Sequence, residues 1–210
     1  MSMMKKAVLA SLLALSPMFA HASGISFYLV SNSSVQDVTQ ETATVDDEYE
    51  QDIIASGLGL AFKSHVTQDK MYAYHLNLEY LSGEVDAIDG ASTSGYPMQR
   101  WNMLHTFAFG LVKQANLRIW AGPRITLSLE HTEDDYSADT WDTFGIGVGP
   151  AVGAAVTLNR KLGLFIDMDH RFGSAAGSWD DGITDRDYTL SEQGFSLRLG
   201  MNIIFGERGR

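Results

Sequence analysis

Cysteine is absent from the 210 residues, proline occurs only 4 times, and the 15 basic side chains are outnumbered by 26 acidic ones. Without cysteine there is neither a disulfide nor a thiolate metal site, so sheet pairing and packing must hold the fold. A formal net charge of −11 lacks the basic footprint that phosphate backbones require, which excludes nucleic acid as a partner. No stretch approaches 18 continuous apolar residues, so no transmembrane helix is expected. Scarce proline beside 20 glycines suits strands and turns better than disorder.

The N-terminus reads as an export signal. Lys5 and Lys6 are its basic part, Ala7 to Leu15 its short apolar part, and Ala20-His21-Ala22 the small-x-small site that a signal peptidase cuts. The apolar part is too short to cross about 30 Å of hydrocarbon as a helix. The expected organisation is therefore a signal peptide over 1–22 and one domain over 23–210.

What the chain does have is a period of two. Leu162, Leu164, Ile166, Met168, His170 and Phe172 share one face, with Gly163, Phe165, Asp167, Asp169 and Arg171 on the other. Phe195, Leu197, Leu199, Met201, Ile203 and Phe205 likewise alternate with Ser196, Arg198, Gly200 and Asn202. The same alternation runs from Leu117 to Glu130, from Phe144 to Leu158, from Trp101 to Leu111, from Tyr72 to Tyr80, from Ile54 to Phe62 and, briefly, from Ile25 to Leu29. That makes eight strands. Short links (65–70, 113–116, 159–161) alternate with long ones (31–51, 83–99, 131–140, 173–189), as in an up-and-down barrel with turns on one rim and loops on the other.

The polarity of the two faces separates a soluble barrel, apolar inside, from a membrane barrel, apolar outside. One face of the strands carries Lys63, Arg118, Arg124, Arg171 and Arg198 against Glu79, Glu130, Asp167 and Asp169. Near-balanced charge suits an interlocked network filling a narrow lumen, because buried ions are tolerable only when paired. The apolar face is bounded toward the loops by Tyr80, Trp101 and Phe144, amphipathic rings of the kind that favour a membrane interface. A sheet in hydrocarbon must also close on itself to pair its backbone. The expected fold is all-β, an eight-stranded antiparallel up-and-down transmembrane β-barrel. Trp120 and Phe165 point inward beside a strand bearing Gly145, Gly147, Gly149 and Gly153, whose missing side chains leave room for such rings.

Most acidic residues fall in the long links, among them Asp37, Glu48, Glu50, Glu84, Asp86, Asp134, Asp181 and Asp187. Solvated charge keeps an exposed rim soluble; divalent cations bridging to lipopolysaccharide phosphates are the sharper expectation. No EF-hand spacing is present, so no metal site is assigned, and no cofactor is expected.

The C-terminal Gly200-Met201-Asn202-Ile203-Ile204-Phe205 has the glycine, spaced apolar residues and closing aromatic of an outer-membrane assembly signal, with Gly206 to Arg210 trailing beyond it. Together with the export signal, the eight alternating strands and the acidic loops, it resembles the small outer-membrane barrels of the OmpA transmembrane domain, OmpX and opacity-protein type. The likeness covers the chain beyond Ala22. It implies a Gram-negative outer-membrane location, assembly by the barrel-assembly machinery through Gly200 and Phe205, and contact with outer-membrane lipids and lipopolysaccharide. No wall-binding domain is expected after Phe205. The implied role is structural or surface-interacting; the alternatives are a narrow pore and a lipid A-modifying enzyme. An enzyme needs a nucleophile within reach of a base. His105 and His170 fall on the lipid face with no serine placed beside either by parity, so no catalytic residue is assigned.

Overall fold

The computed structural model describes residues 24–41, 46–64, 71–87, 95–133, 140–180 and 185–205. The proposed signal peptide, 1–22, lies outside them. Eight strands follow in chain order: β1 (Gly24–Glu41), β2 (Asp46–Lys63), β3 (Tyr72–Ala87), β4 (Gly95–Lys113), β5 (Leu117–Glu133), β6 (Thr140–Thr157), β7 (Leu162–Asp180) and β8 (Asp185–Ile204). Each pairs antiparallel with its sequence neighbour, and β1 closes the ring on β8 from Gly24↔Ile204 to Gln40↔Tyr188. Closure gives every strand a partner on both edges, as hydrocarbon demands.

The tight turns have local causes. The side-chain oxygen of Asn159 accepts from the backbone N–H groups of Lys161 and Leu162, both at 2.9 Å, and folds β6 back onto β7. Between β4 and β5 the Gln114 N–H reaches the Leu117 carbonyl at 2.9 Å. A bulge between Gly110 and Val112 shifts the β4–β5 register at this end.

The strands are 16 to 20 residues long, whereas about 9–11 tilted residues cross a bilayer. The surplus corrects the expected long links: 31–51, 83–99 and 173–189 are largely strand, and the described residues of 131–140, namely 131–133 and 140, are strand as well. Asp37, Glu48, Glu50, Glu84, Asp86, Glu133 and Asp187 stand on strands rather than in loops, whereas Asp134 and Asp181 lie outside the described residues. The barrel thus has two storeys. The one nearest the turns is a belt with Leu29, Leu58, Ile146, Ile166 and Leu199 exposed outside and charge buried inside. Beyond it rises a collar of the opposite polarity, with Val38, Val85, Met98, Tyr188 and Leu190 buried inside and Asp37, Glu50, Asp52 and Glu84 exposed outside. The apolar positions change parity between storeys, from 25, 27 and 29 to 38 on β1, and from 195, 197 and 199 to 188 and 190 on β8. A strand's side chains alternate faces, so a change of parity turns oil from outside to inside.

The belt's polarity excludes a soluble barrel. Arg198 is 0% and Glu79 1% exposed in the interior, while Leu199 is 60% exposed on the outside.

Candidate functional site

The distinctive chemistry lies in the lumen, where two tiers of ion pairs cross from wall to wall. The tier nearer the turns is built on Arg124 and Arg198. Arg124 Nη2 donates to Asp167 Oδ2 at 2.8 Å, Nη1 to Asp169 Oδ1 at 2.6 Å, and Nε to Thr106 Oγ1 at 2.7 Å. Arg198 donates through Nε to Glu79 and through Nη1 to Asp169. Glu79 also accepts from the Tyr28 hydroxyl at 3.1 Å, which itself accepts from Asn77 Nδ2 at 3.1 Å. The tier therefore ties β3, β5, β7 and β8 together through charge-assisted, partly bidentate contacts.

The second tier lies toward the collar. Arg100 Nε donates to Glu130 Oε2 and its Nη1 to Glu192 Oε1, each at 2.7 Å. Arg171 Nη2 donates to the same Glu192 oxygen. β4 and β8 are diametrically opposed in a ring of eight, so the Arg100–Glu192 bond spans the lumen. All four side chains are largely buried. Each tier keeps its ions by mutual pairing, without which desolvation costs several kcal/mol per ion.

Below the first tier, Lys63 Nζ donates to Asn202 Oδ1 at 3.2 Å and stands 3.4 Å from the Phe165 ring centre. His75 meets the Trp120 ring edge-on at 5.0 Å. The glycines serve these large inward groups. A Cβ on Gly153 would come 2.5 Å from the Trp120 ring, and one on Gly147 2.7 Å from the Arg171 side chain. Gly200 similarly leaves space for Tyr28, whose Cβ an added methyl group there would meet. That packing role stands beside the assembly role expected from sequence; Phe205, after β8, is exposed.

Of the nine lumen charges expected from sequence, Glu79, Arg124, Glu130, Asp167, Asp169, Arg171 and Arg198 come together in the two tiers. Lys63 lies beneath them. Arg118 stands half-buried at the turn rim opposite Lys113. Arg100 and Glu192 were missed, because both fall just where the belt's outward apolar pattern stops. Extending the parity of Trp101 and Phe195 into the polar stretches would have turned both inward. Tyr80 and Trp101 are cross-strand partners with ring centres 4.8 Å apart, and Trp101 and Phe144 are exposed near the collar. Phe172 and Phe195 are exposed on the same outer surface.

The two belt histidines are engaged with polar neighbours. His105 Nδ1 is bonded to the Tyr74 hydroxyl, and His170 Nε2 lies 3.0 Å from Gln193 Nε2 and packs edge-on against Phe172. On the collar's exterior, His131 Nδ1 is 2.7 Å from Asp142 and Nε2 2.8 Å from Glu133. Carboxylates only accept, so holding both contacts requires imidazolium. The Glu133 and Asp142 carboxylates accordingly hold the His131 pKa above its usual value. Among the described residues, no group of three or more His, Asp or Glu is placed to hold a metal ion, so the divalent cations expected from the acidic links find no assigned site there.

No family model matches the chain, and no curated protein matches it in sequence. Its fold recurs in solved structures. The outer membrane protein OprG from Pseudomonas aeruginosa superposes with a TM-score of 0.66 at 10% identity, over 89% of this chain and 98% of that one. The outer membrane protein AlkL, solved by solid-state NMR in DMPC bilayers, gives 0.60 at 11% identity, over 90% and 93%. At such identities the likeness is one of fold: this chain has the architecture of an outer-membrane β-barrel.

Proposed function

We propose that this chain is a non-conducting barrel of the Gram-negative outer membrane that works through its collar, as a structural or surface-interaction protein. The observation that carries this is the Arg100–Glu192 bond across the full width of the lumen, backed by the Arg124/Arg198 tier. An eight-stranded interior is just wide enough for side chains to fill, and an ion passing this one would have to part both tiers. The collar's apolar interior acts as a core that holds the strands together beyond the membrane, and its polar exterior faces water.

Planar-bilayer recording tests this. Purified protein is expected to give no stable current, and a sustained unitary conductance would establish the runner-up, a narrow pore. The non-enzymatic part rests on His105 and His170 being engaged by Tyr74 and Gln193 rather than by a serine or threonine hydroxyl. Lipid A from wild-type and deletion cells should be identical by mass spectrometry. A mass difference restored by the wild-type gene but not by H105A or H170A would overturn it.

A further inference from the structure

Two of the chain's four prolines stand within the belt, on strands partnered along both edges. Proline is ordinarily excluded from such positions, because it has no N–H to give the ladder. Pro123 on β5 and Pro150 on β6 are direct cross-strand partners, and the β5–β6 pairing runs through them unbroken. The flanks of this hairpin differ. The β4–β5 pairing stops at Thr106↔Arg124 and resumes at Phe109↔Ala121. The β6–β7 pairing stops at Val148↔Phe172 and resumes at Ala151↔Asp169, again in the same register.

Backbone direction explains both breaks. In an antiparallel ladder the N–H and C=O of one residue point to the same neighbour, and those of the next residue point to the other. The Gly110 N–H goes to the Met71 carbonyl beside β3, so the odd-numbered residues of β4 face β5. The Thr157 N–H goes to the Asn116 carbonyl beside β5, so the even-numbered residues of β6 face β7. Pro123 therefore faces Phe107 and Pro150 faces His170, and these two carbonyls lose their ladder donors. The strands close up there: a Cβ added to Gly122 or Gly149 would strike the same two oxygens. The hairpin is fully paired within and lacks one hydrogen bond on each flank, in hydrocarbon where no water replaces the donor.

One side chain spans both flanks. Arg124, next to Pro123, donates through Nε to Thr106 Oγ1 on β4 at 2.7 Å. Its Nη1 donates to Asp169 at 2.6 Å and its Nη2 to Asp167 at 2.8 Å, both on β7. Opposite it on the intervening β6 is Gly149, which puts no side chain in its path. Thr106 adjoins Phe107 and Asp169 adjoins His170, so these contacts fall beside the two missing bonds.

We infer that the β5–β6 hairpin is a hinged panel of the barrel wall, the part that opens first, and that Arg124 is its latch. The arginine holds by side chain the two seams that the prolines leave without backbone bonds. This is so whether or not the lumen conducts.

Residue-resolved amide hydrogen exchange, by NMR of the folded full-length protein in phosphatidylcholine nanodiscs, tests it. Amides facing the seams (Ala121, Ile125, Val148, Val152) should exchange about tenfold faster than Thr126 and Gly147, which face each other inside the hairpin. Arg124→Gln should accelerate the seam amides about tenfold more and leave those of β1 and β2 unchanged. Thr106→Val, which keeps the ion pairs, should accelerate Ala121 and Ile125 alone. Pro123→Ala with Pro150→Ala restores both donors and should abolish the seam difference, and Arg124→Gln should have little effect in that background. Equal rates for seam and inner amides in the wild type overturn the inference. So does an Arg124→Gln effect that spreads over all strands or is undiminished in the double-alanine background. If Arg124→Gln gives no heat-modifiable folded band, the wild type, Thr106→Val and the double-alanine variant decide by the same comparison.

Discussion

The belt and the collar are built from the same strands, with opposite solutions to one problem. In the belt, hydrocarbon is the outer solvent, so Ile166 and Leu199 face out and Arg198, Glu79 and Asp167 must pair inside. In the collar, water is the outer solvent, so Asp37 and Glu50 face out while Val38, Tyr188 and Leu190 pack together inside. A strand cannot say which of its faces is interior; the surrounding solvent and ring closure decide. The belt is therefore stabilised by interlocked charge in the lumen, and the collar by ordinary apolar burial.

Four experiments would break or sharpen this contrast. The largest effect is expected for Arg198→Met, which removes the cationic partner of Glu79 and leaves Asp169 to Arg124 alone. Removing one member of a buried pair costs about 3–5 kcal/mol, measured as urea unfolding of the detergent-folded barrel. Next, the same outward substitution should divide the storeys. Ile166→Arg in the belt is expected to cost about 2–4 kcal/mol, but Ser191→Arg on the collar only about 0.5 kcal/mol or less; equal costs would deny the two solvents. Third, Leu190→Ala should lose about 2 kcal/mol, read as faster proteolysis of the outer end while the belt retains its heat-modifiable gel shift, because local opening need not be global. Smallest is a pH effect on the clasp between β5 and β6. The His131 pKa is raised by the Glu133 contact first and the Asp142 contact second. The clasp therefore stabilises fully below the ordinary histidine range and is lost as pH rises through the elevated value. NMR titration of the His131 ring should show that elevation disappear in Asp142→Asn combined with Glu133→Gln.

The belt was legible because its apolar face is continuous over several alternations on most strands. From those runs followed the number of strands, the outward face and the positions of the turns. The collar was hidden by the same rule: when the apolar parity switched, stretches such as 31–51 resembled polar loops. Yet Val38 and Tyr49 stand there in the other phase, as does Ile53 just beyond. Among the site residues, inward orientation could be read for Arg124 and Asp167 but not their pairing, since they lie on β5 and β7 with β6 between them. Glu192 was passed over because its neighbours Ser191 and Gln193 are polar and gave no outward apolar row to count from.

The sequence by itself determined which side chains share a face, because successive Cβ atoms alternate across a strand whatever surrounds it. It determined the tight turns as well, through residues such as Asn159. Only the tertiary structure decided which residues meet across the lumen. Arg100 and Glu192 are 92 positions apart and become neighbours only when β1 closes on β8, because ring size and register, which no single strand encodes, set the distance between opposite walls.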